Sequence, residues 1–144
     1  MNHWWIDLSR RLRNSGGKKI NKKTRVRVTA DGSAGFFRRA REHARKLDRR
    51  EPIASEITVT FPDVADMLRV LSTERVRLLR VARKALPVSD LAAGLKRDAR
   101  AVSRDIDLLE SFGLIRTRYE INPGHGKRRI VEPQAAKYQL YATI

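Results

Sequence analysis

Cysteine is absent from the 144-residue sequence, and aromatic residues are few, with 4 Phe, 3 Tyr and 2 Trp. A chain without thiols forms no disulfide bonds and no thiolate nucleophile, which fits a reducing compartment. Apolar runs all fall short of the roughly 20 residues that a membrane-spanning helix needs. The apolar patch at the N terminus precedes its positive charges, which is the reverse of a secretory signal. We therefore expect a cytoplasmic protein.

Acidic residues are also scarce. The chain has 16 Asp and Glu against 32 Lys and Arg, so its formal net charge is +16. The excess is uneven, because residues 1–50 hold 16 cations and 4 acids, or +12, while residues 51–144 hold 16 and 12, or +4. Such an excess favours an anionic polymer or surface as the partner.

Motifs for catalysis and metal binding are missing. The histidines His3, His43 and His125 are scattered, so we expect no metal site and no cofactor. The segment GHGKR (124–128) lacks the first glycine of a phosphate-binding loop, and it has Arg128 where Ser or Thr would hold magnesium. No histidine is joined to a nucleophile in a recognisable context, so we expect no catalytic residue and no enzyme.

The first half of the chain divides into an extension and a strand–helix–strand segment. Residues 1–23 are predicted to be a basic, flexible N-terminal extension, either a disordered tail or an arm for DNA, a partner or a membrane surface. Within them, one side of a short amphipathic helix could carry Trp4, Trp5, Leu8 and Leu12. TRVRVTA (24–30) and SEITVTF (55–61) alternate like strands. Between them a helix is predicted at 33–50, with an apolar stripe of Phe37, Ala40, Ala44 and Leu47.

From Pro62 the pattern changes to short helices. PDVADMLRVL is followed by TERVRLLRVARKA, whose inward residues are predicted to be Val76, Leu79 and Ala82. Ser89 is placed as the N-cap of DLAAGL, a three-residue turn follows, and the next helix stops at Gly113. The rest of the chain is again strand-like, and it reads LIRTRYEI, the loop NPGHGKRR, IVE and KYQLYATI. This order predicts an α+β fold with a winged helix-turn-helix domain at 62–144, preceded by the segment 24–61.

The helix in RDARAVSRDIDLLESFGLI (97–115) is the candidate recognition helix. Val102, Ile106 and Leu109 form its core stripe. Arg100, Ser103 and Arg104 are then offered to base edges, and Lys96 and Arg97 to phosphates. Ser89 is a further candidate DNA-binding residue. The alternative for Arg100 and Arg104 is surface ion pairing with Asp107 or Asp105.

The wing is predicted to carry its own cations. The NPGHG loop is surrounded by Arg116, Arg118, Lys127, Arg128 and Arg129. A basic hairpin can follow a phosphate backbone or enter the minor groove. The alternative is a solvated charged face, and His125 at the tip is expected to be a solvated loop histidine.

From residue 24 onward the chain resembles small prokaryotic winged helix-turn-helix regulators distantly related to the MarR and ArsR groups. The similarity is carried by the "LT-x-x-R-x-x-LL" and "LA-x-x-L-x-RD-x-x-x-V-x-RD-x-x-x-L-x-x-x-GLI" patterns, met here by Leu71-Ser72, Arg75, Leu78, Leu79, Leu91-Ala92, Leu95, Arg97-Asp98, Val102, Arg104-Asp105, Leu109 and Gly113. This chain departs from the family in having Ser103 where His is frequent, and EPQAAKYQL before the last strand.

Some members of that family resemble antitoxins of TumE–TumA-type toxin–antitoxin modules. The resemblance implies a DNA-binding half at 62–144 and a front half that dimerises or holds a toxin, with Phe37, Arg41 and Arg45 as candidate partner-binding residues. We therefore expect a homodimeric repressor of double-stranded DNA that also neutralises a cognate toxin. The alternatives are a stand-alone MarR/ArsR-like regulator and a nonspecific nucleic-acid-binding protein, although the chain lacks the aromatic platform of single-strand binders.

Overall fold

A computed structural model describes residues 24–53 and 55–144, so the expectations for residues 1–23 lie outside the described residues. The described chain forms two compact units. The sheet unit consists of residues 24–72 and 135–144, and the helical unit consists of residues 73–134. Among the described residues, no helix combines the length and the apolar character required to traverse a bilayer.

The sheet unit is built around three parallel strands in the order β2-β1-β6. Its elements are β1 (Arg25–Thr29), α1 (Gly32–Asp48), β2 (Glu56–Thr60), α2 (Val64–Val70) and β6 (Lys137–Tyr141). The predicted strand–helix–strand order is confirmed. The C-terminal strand, expected to follow the wing strands, instead pairs along β1 from Arg25–Lys137 to Thr29–Tyr141.

Alternation along β1 separates an apolar face from a charged one. Val26 and Val28 are only 0% and 1% exposed and form the core of the unit. On the opposite face Arg25 lies 2.9 Å from a carboxylate oxygen of Glu56, and the guanidinium of Arg27 lies 4.4 Å from the ring centroid of Tyr141. The charged face is thus held by ion pairing and a cation–π contact.

Helix α1 is attached to this sheet by polar contacts. Arg39 donates from Nη1 to Asp31 Oδ2 at 2.5 Å and from Nη2 to Thr60 Oγ1 at 2.9 Å. The hydrogen bond from Arg39 is the main reason why the pKa of Asp31 is lowered. Gly35 is the only α1 residue that is buried in the structure. The predicted apolar stripe of α1 therefore lies away from the core of its own unit, with Phe37 59% exposed.

The helical unit contains three helices and an antiparallel sheet in the order β3-β5-β4. Its elements are α3 (Thr73–Val81), β3 (Leu86–Pro87), α4 (Val88–Leu95), α5 (Ala99–Ser111), β4 (Ile115–Asn122) and β5 (Gly126–Pro133). Helix, short strand, helix, turn, helix and hairpin is the order of a winged helix-turn-helix, so the predicted α+β fold class is confirmed. The division into separate domains at 24–61 and 62–144 stays a prediction.

The core of the helical unit is aliphatic. Side chains that are no more than 1% exposed include Leu78, Leu91, Leu95, Val102, Ile106, Leu109, Leu114, Ile115 and Val131. On α3 the innermost residue is Leu78, whereas Val76, predicted to face inward, is half-buried. Helix α5 ends in a Schellman motif, in which Leu114 N donates to Leu109 O at 3.0 Å and Gly113 adopts a φ of 73°.

Candidate nucleic-acid interface

The turn between α4 and α5 is made by three residues, as predicted. Lys96 ends α4 in a left-handed conformation with a φ of 53°, and its side chain is exposed. Asp98 is the N-cap of α5 and accepts hydrogen bonds from the backbone N of Arg100 at 2.9 Å and of Ala101 at 3.2 Å. Because the cap occupies these amides, Asp98 fixes where α5 begins.

Ser89 does not cap α4. The helix begins two residues earlier than predicted, with Pro87 as its N-cap and no capping hydrogen bond from a side chain. Proline fixes the backbone geometry for the first turn, so the serine hydroxyl is left exposed on the outer surface of α4. The predicted N-cap is wrong, and the contact of Ser89 with DNA stays a prediction.

Asp105 forms the centre of a buried ion cluster. Its side chain is 11% exposed and accepts from Arg75 Nε at 2.9 Å and from Arg97 Nη1 at 2.8 Å. Arg97 Nε also lies 3.7 Å from Glu74 Oε2. The cluster therefore joins α3, the turn and α5. The guanidinium of Arg97 already pairs with Asp105 and lies near Glu74. If Arg97 contacts a phosphate as predicted, it must do so while keeping these ion pairs.

Arg100 and Arg104 occupy the outward face of α5. They are four residues apart, and both are exposed, while Val102 and Ile106 on the inward face are 0% exposed. Among residues 24–53 and 55–144, no carboxylate forms an ion pair with either arginine. The alternative of pairing with Asp105 or Asp107 is therefore not what the structure contains. Ser103 is half-buried at the margin of the same face.

The wing is anchored to α5 through its carboxylates. Arg129 donates to Glu110 Oε2 at 3.1 Å and pairs with Asp107 Oδ1 at 2.8 Å. Glu110 also accepts from the Thr117 backbone N at 3.0 Å and from its hydroxyl at 2.8 Å. Arg129 therefore neutralises Asp107, which would otherwise repel a phosphate next to the outward face of α5.

The remaining wing arginines are also paired. Glu132 accepts from Arg116 Nε at 2.7 Å and from Arg118 Nε at 2.5 Å. Glu120 pairs with Arg118 and with Arg128, the latter at 3.2 Å. Burial alone would raise the pKa of Glu132, but hydrogen bonds and charge from the two arginines outweigh it and lower the pKa. The hydrogen bond from Arg118 likewise lowers the pKa of Glu120.

These pairs alter the expected chemistry of the wing. Four of its five predicted cations already face a carboxylate, and only Lys127 lacks one within the part of the chain that the structure describes. Lys127 and His125 are exposed at a tip where Gly124 and Gly126 have positive φ values of 77° and 78°. The wing is therefore closer to a braced hairpin than to a row of free cations.

A second group of free cations was missed by the sequence reasoning. These cations lie on α3 and just after it. They are exposed, and none has a carboxylate partner among the described residues: Arg77, Arg80, Arg83 and Lys84. Their spacing of three, three and one residues could have identified them, because it repeats close to the helical period. They are additional candidates for phosphate contacts.

The predicted partner-binding residues lie in the sheet unit. Phe37, Arg41 and Arg45 are all exposed on α1. Arg41 donates from Nε to the Phe37 carbonyl oxygen at 3.4 Å, and Arg45 has no side-chain partner among the described residues.

The match to a known family falls almost entirely in the helical unit. The family model HVO_A0114 matches residues 70–133, which are 64 of the 144 residues. A comparison with curated proteins finds no match.

Two solved structures are similar to part of this chain. One is the homodimeric winged helix-turn-helix DNA-binding domain of Mb0332 from Mycobacterium bovis, described as a possible ArsR-family transcriptional regulator. It is 23% identical, with 50% of this chain and 64% of that chain covered and a TM-score of 0.41. The other is a possible transcriptional regulator from Methanosarcina mazei Go1, 17% identical, with 49% and 65% covered and a TM-score of 0.42. This chain thus spans just under two thirds of either neighbour.

Proposed function

We propose that this protein is a sequence-specific repressor that binds double-stranded DNA through α5. The observation that carries the proposal is the outward pair Arg100 and Arg104, which is exposed and free of carboxylate partners on the described chain. The opposite side of the same helix is fully buried at Val102 and Ile106. Arginine binds guanine O6 and N7 bidentately in the major groove, and a helix of this kind fits that groove.

A repressor with this site is expected to act as a homodimer. Helix α5 has 13 residues and spans about 20 Å, so one copy reads only a few base pairs. Two copies related by a two-fold axis would read half-sites about 34 Å apart, which is one turn of the duplex. Because the second half-site adds further base contacts, a dimer discriminates the operator from other sequences better than one short helix does.

The test is footprinting on the DNA upstream of the protein's own gene at two salt concentrations. Arg100→Ala and Arg104→Ala should each lose about 1–3 kcal/mol of discrimination between the operator and a mismatched site. The matched control is Arg49→Ala, which also removes one exposed positive charge but from the sheet unit, and should leave discrimination unchanged. If both α5 variants retain the operator preference of the wild type, the assignment of α5 as the reading helix is refuted.

A second function is proposed for α1. The protein would be the antitoxin of a two-gene toxin–antitoxin module, masking a toxin with the sheet unit while repressing its own operon. What supports it is the exposed apolar stripe on α1, since a face of this kind is unusual unless a partner covers it. Co-expression with the adjacent reading frame should yield a stable complex and relieve toxicity. The absence of any complex would favour a stand-alone regulator, and equal affinity for random RNA and upstream DNA would favour a nonspecific binder.

A further inference from the structure

Helix α1 presents an apolar stripe that nothing in the described chain covers. The stripe consists of Phe37, Ala40, Ala44 and Leu47, all of them exposed, with Phe37 at 59% and Leu47 at 63%. The neighbouring Phe36 is 37% exposed, and its ring packs edge-on against Phe37 with centroids 5.5 Å apart. Spacings of three and four residues place the four side chains in one line about 15 Å long.

The outward position of this stripe is fixed by the contacts on the other side of the helix. Gly35 and Arg39 are four residues apart and form the inner side, where Arg39 bonds Asp31 and Thr60. A Cβ at Gly35 would lie 2.0 Å from the Asp31 carboxylate, so glycine is what allows the helix to approach this closely. With 100° between successive residues, Ala40 and Ala44 point away from Gly35. The exposed stripe therefore follows from how α1 is attached.

The flank of the stripe carries unpaired positive charge. Arg41 and Arg45 lie one turn apart beside it, and neither meets a carboxylate among the described residues. Residues 32–50 contain 7 Lys and Arg against 2 Asp and Glu, so the helix and its end carry +5. The surface therefore combines a row of apolar side chains with a row of cations, and an occupant must complement both.

Two occupants from this chain fail on charge. In an antiparallel pairing of two α1 helices, Phe37 would face Leu47 and Ala40 would face Ala44, so the shapes match. The same register brings Arg41 of one copy beside Arg45 of the other, about 3 Å apart along the helix axis, so like charges meet on the flank of the stripe. The segment 1–23 is also a poor occupant, because it has 7 Lys and Arg against a single acid, Asp7.

From the stripe and the cations that flank it, we infer that α1 docks an acidic amphipathic helix of a partner protein. The partner helix inserts apolar residues spaced by three and four between Phe37 and Leu47, and its carboxylates meet Arg41 and Arg45. This inference deepens the partner-binding function proposed for α1 and is independent of DNA reading by α5.

The inference is tested by fluorescence anisotropy with the full-length protein and a designed helical peptide that carries leucines at heptad spacing and glutamates beside them. Phe37→Ser with Leu47→Ser should weaken peptide binding at least tenfold. The matched control is Leu68→Ser, which removes an apolar side chain of 58% exposure from α2 and should have no effect. Arg41→Glu with Arg45→Glu should also weaken binding at least tenfold, whereas the same change at Arg77 and Arg80 should leave most of it.

A charge-reversed peptide completes the test. A peptide with lysines in place of the glutamates should bind the Arg41→Glu, Arg45→Glu protein better than it binds the wild type. Binding of the acidic peptide that is indifferent to the stripe variants would overturn the inference, because it would reflect net charge alone. Sedimentation in which the stripe variants convert a wild-type dimer to a monomer would also overturn it, since a second copy would then cover α1. The affinity of the stripe variants for the operator should be unchanged per protomer. If the peptide test fails, the proposal that α5 binds DNA is therefore unaffected. If the footprinting test fails, the inference about α1 is likewise unaffected.

Discussion

The Asp105→Asn substitution tests how much the ion cluster that joins α3 and α5 contributes to the free energy of unfolding. The aspartate carboxylate is 11% exposed and receives two charged donors at 2.9 and 2.8 Å, from Arg75 and Arg97. Asparagine keeps the shape but removes the negative charge that both guanidinium groups, each 23% exposed, face at close range, although Arg97 keeps Glu74 at 3.7 Å. Breaking a buried ion pair from one side costs about 3–5 kcal/mol, and the partial exposure of both arginines lowers our expectation to about 2–3 kcal/mol.

The control lies two residues away on the same helix. Asp107 is 63% exposed and pairs with Arg129 at 2.8 Å, so Asp107→Asn should cost less than about 1 kcal/mol. Guanidinium-induced unfolding followed by circular dichroism gives both free energies, and the melting temperature of Asp105→Asn should fall by about 6–9 °C. The reasoning is refuted if Asp105→Asn and Asp107→Asn have the same free energy of unfolding, because burial would then make no difference to the pair.

Two further predictions concern the carboxylates Asp31 and Glu132. Gly35→Ala should destabilise the protein by about 1 kcal/mol in chemical denaturation. The new methyl group displaces Asp31, and the lost Asp31–Arg39 hydrogen bonds (about 1.5–3 kcal/mol) outweigh the gain in helix propensity (about 1 kcal/mol). A variant more stable than the wild type would contradict this. Glu132→Gln should cost about 1–2 kcal/mol at neutral pH. Since the pKa of Glu132 is lowered by folding, this contribution is present above the pKa of the unfolded glutamate and is lost as the pH falls through the folded value. The stabilities of wild type and variant in thermal unfolding should therefore converge as the pH falls below the ordinary range of a glutamate, and a constant difference would disprove the linkage.

The sequence predicted the winged helix-turn-helix because each of its elements has a local signal. The period of Val102, Ile106 and Leu109 identifies the buried side of α5, and Gly113 marks its end through a conformation that glycine adopts readily. The placement of β6 has no such signal. Alternation in KYQLY suits an edge strand of either sheet, and only tertiary pairing with β1 decides between them.

The charges were harder to predict than the helices. Spacing alone offered Asp105 as a partner of Arg100 or Arg104 on its own helix, but its actual partners are Arg75, thirty residues away in sequence, and Arg97. Likewise, the period of α1 shows that the helix is amphipathic but does not show whether this chain supplies the surface that covers it. Both outcomes depend on contacts between distant residues, which a periodic pattern does not encode.

The distribution of paired and unpaired cations shapes the candidate interface more than the net charge does. Residues 73–134 contain 14 Lys and Arg and 8 Asp and Glu, a net charge of +6. Six of these arginines pair with carboxylates in the described structure, and four of the six lie on the wing. Most of the positive charge of the wing therefore stabilises the hairpin and neutralises Asp107 and Glu110. The cations that have no carboxylate partner among the described residues lie instead on and just after α3, in the turn at Lys96, on the outward face of α5 and at Lys127. If α5 reads DNA as proposed, Arg100 and Arg104 are free for base edges and the unpaired cations of α3 are free for phosphates, while the paired arginines of the wing serve to hold the hairpin against α5.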